Sequence, residues 1–538
     1  MKQWQTKEEL TDLLCSLVEY PSITGSNAEI AIVEHLYYIL EDRKYYQNHP
    51  GHLALHPLKD GRQLLTALVK SGSSDKTIVL LAHADVVEIN DYGSYQNLAF
   101  YPKELTQELH KNIDDLPSGA AKDLQTGNWL FGRGTMDMKA GMAVHLSLLE
   151  KAMEGEFDGN LLLVIVPDEE VNSEGMLTAV PVLAELKEKE GLDYKIAFNG
   201  EPMFSQYPGD PSHYLYTGSI GKTLPGFLCY GKETHAGEPF AGLNANLMVS
   251  YLAQEMELNE AFIEEVGKER TPPPISLMQR DLKHEYSVQT PRTAVAMYNV
   301  MYMKQSIADL NEKLLQAAQR AKAKIINHYH HQASFYLKGS QSSAFSPDIQ
   351  IMTYEQLYDE AVKRYGKREV DRRQNRLINK RDQGDRDFST TLVHSLASLC
   401  KDISPMIVLF YSPPFYPSVS SHHDKMVQRG AKLAMDYAKE TFHIDLNEVE
   451  YFPGLSDLSF IGPASVQSSI EDLLRQMPIQ GNGYELPAES MEKITMPVIN
   501  IGPLGRDPHQ WTERLELTYS FEKLPEILEK TIHHFLMD

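Results

Sequence analysis

Four short apolar runs, each closed by a residue that can hold a metal, constrain this chain more than any other feature. They are "TIVLLAHAD" (77–85), "LLLVIVPDEE" (161–170), "YKIAFNGEP" (194–202) and "MPVINIGP" (496–503). Runs this short, bounded by turn residues and mostly rich in branched aliphatic side chains, read as buried strands. Segments of helical periodicity lie around them, such as "MDMKAGMAVHLSLLEKAM" (136–153) and "LTAVPVLAELKEKEG" (177–191). Strands alternating with helices imply right-handed crossovers. The expected fold is therefore α/β: a mixed, mostly parallel sheet with helices on both faces.

From about Tyr214 the texture changes to strands joined by glycine-containing turns, then the long amphipathic stretch "SIADLNEKLLQAAQRAKAKIINHYHH" (306–331) and the strand-like "MIVLFYSPPF" (406–415). A second layer inserted into the first is expected, since 538 residues exceed one ordinary core. The expected division is a catalytic domain over 1–213 and 413–538, with an inserted α+β lid over 214–412. Within the lid, an extra segment at about 335–400 contains the basic run "KRYGKREVDRRQNRLINKRDQGDR" (363–386), read first as a solvated helix face or loop.

The formal net charge of −23 argues against a general nucleic-acid partner. Three scattered cysteines, Cys15, Cys229 and Cys400, form neither a disulfide framework nor a thiolate metal site. The N-terminal stretch carries charge throughout and lacks a signal-peptide pattern. No apolar run approaches the ~18–20 residues of a membrane span. A cytoplasmic protein with no membrane partner is the expectation.

In open α/β sheets, ligands gather outside the carboxyl ends of the strands. Here those ends supply His83 and Asp85, then Glu169 and Glu170, then Glu201, while the last run leads to His509. Asp137 sits in "FGRGTMDMKAG", where Gly132 and Gly134 permit a tight turn. His83 and Asp85 are two apart, so on a strand they share a face, and Asp85 is placed to orient the ring. Two histidines with several carboxylates and no thiolate suit zinc, with cobalt or manganese as substitutes. Five such positions, the four strand ends and the Asp137 loop, offer too many ligands for one tetrahedral catalytic zinc and fit two divalent ions sharing a carboxylate.

The order and wording of "LLAHADVV", "GRGTMDMKAG", "VPDEEVNSEG", "NGEP" and "PHQWTE" resemble the M20 family of metallopeptidases and amidohydrolases. "GKETHAGEPFAGLNAN" (231–246) is similar to that family's lid motif. Within the family, the length and "TPRTAVAMYNV" look closest to the RocB group of arginine utilisation. The resemblance implies a co-catalytic two-metal hydrolase that cleaves an amide bond in a small peptide or N-acyl amino acid. By motif, His83, Asp137 and Glu201 would hold one metal, and Asp137, Glu170 and His509 the other. Glu169 would be the general base, and Asp85 the partner of His83. His235 would polarise the scissile carbonyl, reaching across from the partner subunit in several relatives, which implies a homodimer through the lid. Asn244 and Arg292 would be substrate contacts. Many relatives have a lid arginine where this chain has Asn299, and relatives often carry a proline at the position of Glu88.

Two other readings stay open: a single-domain-type zinc aminopeptidase, against which the inserted lid argues, and a retired scaffold that only binds metal or ligand. Retirement should first erode the base or a ligand, and all are present. The histidines of "NHYHH" (327–331), His422, His423, His533 and His534 read as solvated, and Met136, Met138 and Met142 as packing. No Gly-x-Ser-x-Gly setting supports a serine hydrolase.

Overall fold

The structure is a computed structural model that describes all residues except Met1, Ser73, Pro208, His284, 339–344, 466–469 and Asp538. Residues 339–344, part of the expected extra segment, thus lie outside the described residues. Two compact units emerge. The first comprises Met1–Ile220, Val419–Ala464 and Pro487–Asp538, and the second Gly221–Ser418 and Ser465–Leu486.

The first unit is built on a sheet of β1 (Leu53–Pro57), β2 (Gln63–Val69), β3 (Lys76–His83), β4 (Asn160–Val166), β5 (Asp193–Asn199), β6 (His213–Tyr216), β7 (Leu446–Val449) and β8 (Val498–Asn500). The spatial order is β1-β2-β4-β3-β5-β8-β6-β7. Its centre is parallel: β3 pairs in parallel with both β4 and β5, and β5 with β8. The antiparallel pairs β1–β2 and β2–β4 add the first side. Every residue of β4 is buried, as a strand covered on both faces requires. Helices Lys139–Met153 and Leu524–Met537 contribute Leu146, Leu149, Leu528 and Ile532 to the core with Leu163 and Ile196. The four parallel strands therefore deliver four chain ends to one edge.

The second unit holds a five-stranded sheet ordered Ile275–Asp281, Thr293–Tyr302, Gly221–Tyr230, Met406–Tyr416 and Gln350–Thr353. Side chains alternate across it: Leu228, Tyr230, Val295, Met297, Val408 and Phe410 share one apolar cluster with Leu357, Val370, Val393 and Leu396. Those last four come from helices Tyr354–Tyr365, Lys367–Ile378 and Asp385–Leu399, so the extra segment covers one face of the sheet. The basic run belongs to these helices. Lys367–Ile378 buries Val370 and Gln374 while Arg372 and Arg373 pair with Glu369 on its exposed side. Among the described residues, no helix is long and apolar enough to cross a membrane.

Candidate metal centre

β3 ends on His83, whose ring is almost fully buried. Its Nδ1 lies 3.0 Å from the main-chain oxygen of Asp85, which places the proton there and leaves Nε2 as the lone-pair nitrogen. That Nε2 faces Asp137 Oδ1 and Glu201 Oε1, each at 3.4 Å, and Glu169 Oε2 at 3.9 Å. On the other side, His509 Nε2 lies 3.2 Å from both Asp137 Oδ2 and Glu170 Oε2. The two oxygens of Asp137 are thus divided between two imidazoles.

Asp85 does more than orient a ring. Its Oδ1 is 3.6 Å from His83 Nδ1, but the carboxylate also accepts the amide of Glu169 (3.1 Å) and of Glu170 (3.2 Å), and the hydroxyl of Thr24 (2.8 Å). One side chain therefore ties the end of β3 to the turn after β4. That turn leaves the strand at Val166 and passes through Asp168 with φ 69, so Glu169 and Glu170 sit on a bend beyond the strand. A buried network backs it: Asp168 accepts from Arg62 at 2.8 Å, and Glu29 accepts the amide of Asp168 at 2.8 Å.

Asp137 is fixed through Glu513. The Glu513 carboxylate accepts the amides of Met136 (3.2 Å) and Asp137 (3.4 Å) and pairs with buried Arg133 at 2.6 Å. Gly134 supplies the turn with φ 78. Glu201 is held by its own backbone: its carbonyl accepts from Asn500 at 2.9 Å, and a Cβ on Gly502 would stand 1.7 Å from that oxygen. Only glycine lets the chain just beyond β8 pass so near.

Asp457, on the turn Asp457–Phe460, is a further buried carboxylate whose charge acts on Glu169. Sequence reasoning missed it because no apolar run precedes it. Glu513 was visible inside "PHQWTE" but carried no assigned role, and the Glu29–Arg62–Asp168 contacts left no local signal.

Six carboxylates, Asp85, Asp137, Glu169, Glu170, Glu201 and Asp457, converge on two imidazoles. Burial first, and then each other's charge, raises Glu169 and Glu170 and pushes Glu201 and Asp457 up to about 7. Burial would raise Asp137 too, but the His509 and His83 rings beside it more than offset that and hold it low. Packing that much acid together calls for cations. The donor atoms fit one: those of His83, Asp137 and Glu170 lie within 4.8 Å of one another, as do those of His83, Glu169 and Glu201. Among the described residues, His83 Nε2 and Glu170 Oε1 are buried without a hydrogen-bond partner.

A model of peptidase family M20/M25/M40 matches residues 109–534, a span that includes Asp137, Glu169, Glu170, Glu201 and His509. The chain belongs to this family. As an M20 peptidase it is a metal-dependent hydrolase acting on amide bonds. It is 49% identical over 534 residues to YqjN of Bacillus subtilis, covering 99% of this chain and 97% of that protein. It is 29% identical over 550 residues to RocB of the same organism, covering 98% and 95%. A tripeptidase from Staphylococcus aureus shares the fold at TM-score 0.53 with 12% identity, over 99% of this chain and all of that one (100%).

The remaining sequence candidates of this M20 peptidase lie in the second unit. His235 is exposed, and its Nδ1 accepts the amide of Gly237 at 3.0 Å, which leaves Nε2 as the protonated, donating nitrogen. The Asn244 side chain caps helix Ala245–Met256, accepting the amide of Asn246 at 2.9 Å. Arg292 is half exposed, 3.7 Å from Glu233 and stacked over Tyr230 at 5.6 Å.

Proposed function

We propose that the protein is a co-catalytic hydrolase in which two divalent ions, zinc by donor chemistry, share Asp137. His83 and Glu201 complete one ligand set, and Glu170 and His509 the other. The observation that carries this reading is the division of Asp137's two oxygens between His83 and His509. Bound there, the metals would act as Lewis acids, polarising the scissile carbonyl and acidifying water. Glu169 takes the proton of the attacking water and delivers it to the departing amine nitrogen as the C–N bond breaks. Asp85 keeps the proton of His83 on Nδ1 and holds the Glu169–Glu170 turn in register. His235 donates Nε2–H to the carbonyl oxygen as negative charge develops on it, and Asn244 and Arg292 contact the substrate.

The substrate is a small peptide or an N-acyl amino acid. The likeness to RocB directs the search toward N-acyl derivatives of arginine and ornithine and toward arginine catabolism. Three free, buried cysteines, Cys15, Cys229 and Cys400, suit a reducing, cytoplasmic location, and the likeness of the lid motif to that of relatives that act across a subunit boundary supports a homodimer.

Glu169→Gln tests the assignment of the base. Metal content should stay at wild type while kcat falls about 10²–10⁴-fold, the usual worth of a positioned base. Undiminished turnover would remove Glu169 from that role.

A further inference from the structure

A cavity of about 900 Å³ opens in the first unit, lined by residues 505–508 and 510, on either side of His509, by residues within 117–123, and by residues 203–207, Gly209 and Pro211. Two arginines line it or lie within it, and they are unequally occupied. Arg514 is fully engaged: Nε and Nη2 donate to Asp123 Oδ2 at 2.9 and 2.8 Å, and Nη1 donates to the Thr512 carbonyl at 3.0 Å and to Asp507. Arg506 gives one long hydrogen bond, from Nη2 to the Asp210 carbonyl at 3.2 Å. Among the described residues its buried Nε finds no acceptor within hydrogen-bond distance, and the carboxylate oxygen beside it, Asp123 Oδ2 at 3.6 Å, is the one Arg514 already holds. The guanidinium lies over the Trp129 ring at 5.7 Å, which fixes its plane.

A buried charged donor without an acceptor is costly to keep unless something completes it. A planar fork with open N–H groups matches a carboxylate. The two carboxylates that share the cavity, Asp123 and Asp507, favour a singly charged guest over a doubly charged phosphate. Lys122, exposed at the rim, adds a second positive charge, and Met203, Phe204 and Tyr207 supply apolar and aromatic wall for a short hydrocarbon chain. We propose that this cavity is a carboxylate subsite, in which Arg506 pairs with a carboxylate of the substrate that is not part of the scissile amide. That carboxylate belongs either to a dicarboxylic acyl group or to the amino acid released.

The inference rests on the hydrolase reading only in making the anion part of a substrate, and the test separates the two. Metal-free, full-length protein is titrated with glutarate and with glutaramide, followed by tryptophan fluorescence because Trp129 lies beside Arg506. Glutarate should bind saturably and the diamide should not. Arg506→Gln should weaken glutarate about 10- to 100-fold, as loss of charge-assisted hydrogen bonds implies, and Arg506→Lys by less. Lys122→Gln, an exposed change that leaves the fold alone, should weaken it ~2- to 5-fold. In the metal-loaded enzyme, Arg506→Gln should raise KM for only one of two substrate classes. If that class is N-succinyl amino acid amides, the acyl group supplies the carboxylate; if it is N-acetyl amino acids, the leaving group does. Equal affinity for glutarate and glutaramide, wild-type affinity in Arg506→Gln, or equal KM effects on both classes would overturn the subsite and leave the role of Glu169 standing.

Discussion

The first unit buries most of its candidate groups, and the second leaves its own exposed or half-buried. His509, with 48% of its side chain in solvent, is the exception in the first. His83, Asp85, Asp137 and Glu201 are at most 6% exposed, whereas Arg292 keeps 49% of its side chain in solvent and His235 is open. Burial makes the difference chemical. A carboxylate withdrawn from water must find a cation or a proton, so six of them in one place amount to a demand for metal. His509, though half exposed, is held between Asp137 and Glu170, whereas exposed His235 hydrogen-bonds to a main-chain amide and its side chain keeps more freedom to follow a substrate. The contrast predicts that changes in the first unit alter metal content or the chemical step, and that changes in the second alter turnover or binding with the metal intact.

Removing metal is the strongest way to break that contrast. Dialysis against a chelator should lower activity by at least about 10³-fold, because both Lewis acids and the acidified water go together. It should also lower the melting temperature, since the carboxylates lose their countercharge. Re-addition of zinc, cobalt or manganese should restore both. In the same vein Glu170→Ala and His509→Ala should bring metal stoichiometry from two toward one. Full occupancy in both would sink that ligand set.

His235→Ala comes next. If its Nε2–H stabilises the carbonyl oxygen, kcat should fall about 10²–10³-fold, the worth of one oxyanion donor, with metal content unchanged. Metal loss in this variant would erase the distinction between the units. A smaller effect is expected from Asp85→Asn, about 10- to 100-fold in metal affinity or activity. The amide side chain keeps one acceptor oxygen but not the pair that now serves Glu169 and Glu170.

The positions of these groups were legible because they follow from local pattern. An apolar run marks a strand, a parallel strand's end marks the ligand edge, and a His or Glu there is visible at once. The same logic places His83 at the last residue of β3 and Glu201 two residues beyond β5. What it does not reveal is which distant atom a carboxylate touches. Asp85 reads as a partner of His83, two residues away, yet its shorter contacts are with amides 84 and 85 residues along the chain. Asp457 lies on a turn with no periodicity, and its burial depends on three segments meeting. The basic run, by contrast, reads as a solvated helix face from local pattern alone, and the structure gives that face, with Arg372 and Arg373 pairing with Glu369 three and four residues away.

Asn244 offers the finest test of the contrast, because two roles compete for one side chain. Its motif suggests a substrate contact, but its Oδ1 already accepts the amide of Asn246 at the start of helix Ala245–Met256. An N-cap replaced by alanine costs about 0.5–2 kcal/mol. Asn244→Ala should therefore lower stability by that amount in chemical denaturation, and Asn244→Asp, which caps equally well, should not. Substrate binding separates the roles in the opposite way. The amide's N–H donors are lost in both variants, so a genuine contact raises KM in both, while a cap alone raises it in neither beyond what destabilisation explains. A KM that rises in Asn244→Asp at unchanged stability would make the cap also a binding residue, and the exposed unit would then hold at least one group fixed in advance for its substrate.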